Sequence, residues 1–179
     1  RELAAVLTVP FHAGRADVAA RAETRAESLE EAAREERLHF FRGVCEDHGY
    51  DRVALAHTAD DQAETVLLHL LRGSGLRGLG GMPPLRLLGD LTLVRPMLAV
   101  EREQARSFLR RHGLGWREDA SNRDLSFTRN RLRGEIIPLL REAANPSLTT
   151  TLCRMAELLR AEDAWLAACA HEERARLQY

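Results

Sequence analysis

The sequence has 179 residues, 45% hydrophobic and 30% charged, a composition that excludes a disordered chain and supplies the core of a domain. Its formal net charge of -1, with Arg and no Lys among its cations, excludes a uniformly basic nucleic-acid-binding chain, so such a partner must be met by local patches. Three dispersed cysteines, Cys45, Cys153 and Cys169, exclude a CxxC metal or redox pair, and with no apolar run of bilayer length a soluble, cytoplasmic protein without a membrane partner is expected.

The chain opens on ELAAVLTVPFH, which reads as the tail of an apolar segment running into a short strand, without a start signal of its own. After a polar stretch, Ser28 and Glu31 have capping-box spacing. Leu29, Ala33, Phe40, Phe41, Val44 and His48 then recur at helical intervals until Gly49, predicting a helix over 29–48. RVALAH, residues 52–57, has the short apolar character of a strand in a parallel sheet. Asp60 is the expected N-cap of the next helix, whose inner face is Ala63, Val66, Leu67, Leu70 and Leu71. Helix, strand, loop and helix in succession predict an α/β fold with ligands at the carboxyl ends of the strands, where residues 57–64 fall. LRLLGDLTLVRP predicts a hairpin around Gly89 and Asp90. Helices are expected over 101–112 and 128–142, with Pro138 kinking or restarting the second. Asn145 and Pro146 then supply a cap and first turn for a long linker helix, along which Leu148, Leu152, Met155, Leu159, Leu166 and Cys169 form an apolar seam.

The block HTADDQAETVLLHLLRGSGLRGLGG, residues 57–81, gathers Asp60, Asp61 and Glu64 at one end and five glycines at the other. Asp60 and Glu64 share a helical face at i, i+4, and Asp61 and Glu64 at i, i+3. Favourable placement in the helix dipole needs one acid or two. Three, joined by His57, Gln62 and Thr65 at a strand end, point to a site that holds Mg2+ through carboxylate oxygens or receives the ammonium of a cationic substrate. The glycine spacing of RGSGLRGLGG suits either backbone amides approaching a phosphate or a mobile loop, and matches neither standard nucleotide fingerprint. In WREDASNRDLSFTRNRLR, residues 116–133, Arg129 and Arg133 share a helical face suited to phosphate contacts or to plain solvation. Arg34 and Arg37 carry the same ambiguity. His39, His48, His69, His112 and His171 lack ligand-like spacing and read as structural or surface residues.

SLEEAAREERLHFF, AHTADDQAETVLLHLLRGSGLRGLGGM, VRPML and EDASNRDLSFTRNRLRGEIIPLL occur in the order and spacing of the tRNA(Ile)-lysidine synthase family, a branch of the N-type ATP pyrophosphatases of the PP-loop superfamily, which the chain resembles over 1–145. The resemblance implies a catalytic domain over 1–145, incomplete at its N-terminus, with a partial Rossmann-like (adenine nucleotide alpha hydrolase-like) parallel sheet and flanking helices. A linker helix over 146–179 would lead to a tRNA-binding region. The implied reaction is a carbon-nitrogen ligation. ATP with Mg2+ activates C2 of the wobble cytidine of tRNA-Ile with a CAU anticodon by adenylation, and the lysine ε-amine then displaces AMP. A homodimer is compatible with this.

By the same resemblance His57, Asp60 and Asp61 border the catalytic centre, Asp61 and Glu64 hold the lysine, and Glu30, Arg34 and His57 contact ATP. Arg72, Gly73, Gly75, Arg102, Asn122, Arg129, Asn130 and Arg133 would shape the pocket or meet the tRNA. The family's pyrophosphate-gripping SGGxDS loop is not found in the sequence, so the chain reads as a fragment expected not to form lysidine alone. A tRNA 2-thiolation ATP pyrophosphatase is the nearest alternative and lacks support in CxxC cysteines. A non-catalytic tRNA-binding module that has lost the ATP loop is the other.

Overall fold

Capping residues set most of the element boundaries in the computed structural model, which describes residues 1–118, 124–125 and 127–177. The opening segment departs from expectation: Glu2–Val6 is a short helix, α1, and the strand expected after it does not form. Thr8 takes φ +54° and Pro10 has no amide to give a ladder, so the segment suits neither strand geometry nor pairing. A second helix, α2 (Val18–Arg25), arises where the sequence reads only as polar, because the Asp17 side chain accepts from the Ala20 amide at 3.0 Å.

The helix expected over 29–48 is α3, Leu29–His48, and ends at Gly49. Its capping box is reciprocal: the Ser28 amide donates to Glu31 Oε2 at 3.1 Å and the Glu31 amide to Ser28 Oγ at 3.2 Å. Its buried residues are Ala32, Leu38 and Cys45, whereas Leu29 is 57% exposed. Packing against α2, with Arg21 bonded to Glu36 at 2.6 Å, selects that face.

After α3 come β1 (Arg52–Ala54), α4 (Ala59–Leu71), α5 (Leu76–Leu79), β2 (Leu85–Leu88) and β3 (Leu91–Val94). The three strands form a sheet in the order β1-β3-β2. β2 and β3 are the anticipated hairpin, necessarily antiparallel across a two-residue turn where Gly89 takes φ +63°. β1 is shorter than the apolar run 52–57, although the Leu55 amide still donates to the Val94 carbonyl at 2.8 Å.

The remaining elements are α6 (Arg102–Arg111), α7 (Thr128–Arg131), a π-helical turn over Leu132–Ile136, α8 (Ile137–Ala143) and α9 (Leu148–Leu177). Pro138 stands in the first turn of α8, where its missing amide costs nothing. Asn145 Oδ1 accepts from the Ser147 amide at 2.9 Å ahead of α9, so the long final helix starts slightly later than its cap-and-proline signal.

By internal contacts the chain comprises two compact units, Arg1–Val53 with Leu87–Leu93, and Ala54–Arg86 with Val94–Tyr179. The second holds a core of Ala63, Val66, Leu67, Leu132, Ile137, Leu152 and Ala156, so α4, the π-helical turn and α9 meet there. Of the seam on α9, Leu152 is buried and Leu166 is 47% exposed. Among the described residues no helix is long and apolar enough to cross a membrane.

Candidate active site

The N-terminus of α4 is capped by Thr58, not by Asp60 as the sequence suggested. Thr58 is extended, and its amide and hydroxyl donate to Asp61 Oδ2 at 2.8 and 2.9 Å, a capping-box arrangement that settles the start one residue before Asp60. Asp60 is thereby released for a tertiary bond, its Oδ2 accepting from the Arg102 amide at the start of α6 at 2.7 Å. The same turn directs Asp61 and Glu64 onto one face, as their spacing predicted.

Glu64 is 1% exposed, and a carboxylate so buried requires charge partners. Three guanidinium groups supply them. Arg133 grips it through two nitrogens, Nε to Oε1 at 2.7 Å and Nη2 to Oε2 at 2.9 Å. Arg129 Nε donates to Oε2 at 3.0 Å and Arg102 Nη2 to Oε1 at 3.2 Å. Arg102 and Arg133 also reach Asp61 Oδ1, at 3.2 and 3.1 Å. Acids on α4 are thus cross-linked to α6, to α7 and to the π-helical turn, which separate the participants by up to 72 residues of sequence.

Burial pushes the Asp61 carboxyl up, but the two Thr58 hydrogen bonds and the charges of Arg102 and Arg129 outweigh it and hold it below the ordinary carboxylate value. The Arg133 guanidinium is pushed up by its hydrogen bond to Glu64, against burial. A carboxyl whose folded pKa is depressed adds stability above its unfolded value, and that stability is lost as pH falls through the folded one. The urea midpoint should therefore drop as pH falls below the ordinary carboxylate value of about 4, and Asp61→Asn should flatten that part of the profile. An unchanged profile in the variant would remove Asp61 from the acid response.

This donor set does not suit Mg2+. Its Asp61 and Glu64 oxygens already accept from guanidinium groups, so a hard cation that needs several free oxygen ligands finds their lone pairs taken. Among the described residues no cluster of three His, Cys, Asp or Glu side chains has the geometry to hold a metal ion.

The glycine-rich segment is pinned by side chains from Gly78 to Met82. The buried Gln62 side chain accepts from the Met82 amide at 2.8 Å and donates to the Met82 carbonyl at 3.2 Å. Gly81, at φ +63°, lies so close that a Cβ would meet that amide group at 2.8 Å. His69 Nδ1 is 2.5 Å from the Gly78 carbonyl, consistent with a structural histidine, and Arg160 donates to the Gly80 carbonyl. A cavity of about 450 Å3 adjoins the segment, lined by Ala59, Gln62, Glu101, Thr150, Cys153 and Arg160 among others. Burial pushes the Cys153 thiol up.

Asp60, Asp61, Glu64, Arg102, Arg129 and Arg133 are therefore brought together. His57 lies one residue before the α4 cap, its Nδ1 accepting from Arg95 Nε at 3.2 Å. Arg72 is the exposed C-cap of α4, Gly73 takes φ +70°, and Gly75 caps α5. Asn130 Nδ2 donates to the Asp124 carbonyl at 2.9 Å. Glu30 and Arg34 are exposed on α3, in the first unit, and Asn122 lies outside the described residues. The sequence reading missed the roles of Thr58, Gln62 and Arg95. Thr58 had a usable signal, a hydroxyl three residues before an acid; Arg95 had only its isolation between apolar neighbours in VRPML.

The PP-loop domain model matches residues 1–140. The tRNA(Ile)-lysidine synthase of Symbiobacterium thermophilum is 44% identical over 149 residues, covering 83% of this chain and 31% of that protein. Its namesake from Geobacter sulfurreducens is 42% identical over 171 residues, covering 96% and 36%, and that of Thermus thermophilus is 43% identical over 167, covering 91% and 31%. The chain spans about a third of the length of these curated relatives.

Proposed function

The chain belongs to the PP-loop domain family, and we propose that it carries the catalytic part of a tRNA(Ile)-lysidine synthase. What supports this above all is the buried cluster of Asp61 and Glu64 with Arg102, Arg129 and Arg133, built from segments that resemble that family. Residues 1–145 are the catalytic portion in this reading, and α9 is the connection toward a tRNA-binding region.

In the first half-reaction, O2 of the wobble cytidine attacks the α-phosphorus of ATP and pyrophosphate leaves. In the second, the lysine ε-amine attacks C2 and AMP departs with that oxygen. Arginine forks suit phosphate as well as carboxylate. Asp60, Asp61 and Glu64 are formally balanced by Arg102, Arg129 and Arg133, so when the adenylate phosphate draws one guanidinium away, the three acids are left with one uncompensated negative charge in a partly buried site. The lysine ammonium is the ligand that restores balance, and a carboxylate there also takes the proton the amine sheds before attack. His57 and Asp60 border the adenylate in this reading, and Glu30 and Arg34 are assigned to ATP by the family resemblance alone. Arg72, Gly73, Gly75 and Asn130 shape the entry for the tRNA.

The test is an assay of the intact gene product with ATP, labelled lysine and CAU-anticodon tRNA-Ile. Label should enter the tRNA with one AMP released per lysine, and a wobble C-to-U transcript should take none. Sulfur incorporation in place of lysine, or tRNA binding without AMP release, would overturn the assignment.

A further inference from the structure

Arg95 is buried although it carries a full charge, and two of its side-chain bonds help to hold it in place. Nη1 donates to the Pro83 carbonyl at 2.6 Å, and Nε donates to His57 Nδ1 at 3.2 Å. The Arg95 amide in turn donates to the Pro84 carbonyl at 2.8 Å, which ties the residue to the end of the pinned glycine-rich segment. The residue is therefore held through its backbone amide and through Nη1, which orients its Nε–H toward His57.

A guanidinium has five N–H donors and no acceptor, and it does not deprotonate in proteins. The imidazole nitrogen facing Nε must therefore present a lone pair. With this bond in place Nδ1 of His57 is the acceptor, which assigns the proton of the neutral ring to Nε2. An imidazolium, which donates from both nitrogens, would have to break the Arg95 bond.

We propose that Arg95 is a positioning residue for His57, locking it as the Nε2–H tautomer so that it acts as a hydrogen-bond donor to an anionic oxygen and not as a general base through Nδ1. The tautomer follows from this chain's geometry alone. The identity of the oxygen, on the α-phosphoryl group of ATP or of the adenylate, rests on the function proposed above.

Two measurements on the intact gene product test it. Long-range nitrogen–proton correlation spectra of the histidine rings, assigned with His57→Gln, should show Nδ1 of His57 as pyridine-like and Nε2 as pyrrole-like near neutral pH. In Arg95→Met that signature should shift toward a mixture of tautomers. AMP release in Arg95→Met should fall about 10- to 100-fold, the size of loss found for outer partners that orient metal-bound histidines. His57→Gln keeps an amide N–H at the ε position and should retain more activity than His57→Ala. Adding Arg95→Met to His57→Gln should then cost little more, since the residue being positioned has gone.

A protonated Nδ1 in the unmodified protein would overturn the proposal. So would fully additive losses in the double variant, which would leave Arg95 a structural role only. If the tautomer is as expected but no lysine is attached to tRNA by the unmodified protein, the functional reading fails and the positioning of His57 by Arg95 stands.

Discussion

Glu64→Gln should lower the unfolding free energy by about 3 kcal/mol, the low end of the range for removing one partner of a buried ion pair. The buried carboxylate accepts from Arg102, Arg129 and Arg133, and an amide offers one neutral oxygen and two donors in its place. The three guanidinium groups are then left close together with Asp61 as their nearby acid. Their side chains are 27–35% exposed, so water screens part of the repulsion and keeps the cost from the upper end of the range. Urea titration should show a lower midpoint at unchanged slope. Under conditions where the variant stays folded, tRNA- and ATP-dependent pyrophosphate release should survive better than lysine attachment. Equal loss of both half-reactions would reduce Glu64 to a structural clamp.

Leu132→Ala should cost about 2–5 kcal/mol, as expected for a fully buried leucine whose cavity cannot collapse. Leu132 is 0% exposed and belongs to the core formed with Ala63, Val66, Leu67, Leu152 and Ala156. It also opens the π-helical turn and immediately precedes Arg133. Single-turn π segments recur at functional sites, where they re-aim side chains that a regular helix would place elsewhere. Loosening that turn should therefore raise the lysine concentration needed for half-maximal rate as well as lower stability. A destabilised variant with unaltered lysine dependence would show that the arginines are held by their carboxylates and not by the packing beneath them.

Elements defined by short-range chemistry were legible in the residues. The box Ser28–Glu31, the stop at Gly49, the turn at Gly89–Asp90 and the restart at Pro138 each depend on groups within a few residues of one another. Where two local signals competed, the reading slipped. Asp60 and Thr58 both suit an N-cap, and the choice of Thr58 frees Asp60 for the Arg102 amide, a partner 42 residues away. The expected opening strand failed for a related reason, since strand formation needs a neighbour to pair with and Thr8 and Pro10 lie in backbone unsuited to one.

For the site, sequence by itself determined the chemical membership: three acids in one helical turn, arginines at i, i+4 in the segment after Trp116, and a glycine-rich run between them, in an order resembling that of a known family. It also determined which acids share a face, because helical spacing dictates that. Only tertiary structure decided what those acids touch. Burial of Glu64 to 1% exposure recruits Arg102, Arg129 and Arg133, and no local rule reveals which distant cation a buried carboxylate selects. The same holds for Arg95 on His57 and for Gln62 on Met82. These contacts exist because groups removed from water must be satisfied by whatever the fold brings within about 3 Å, and that proximity is a property of the packed chain.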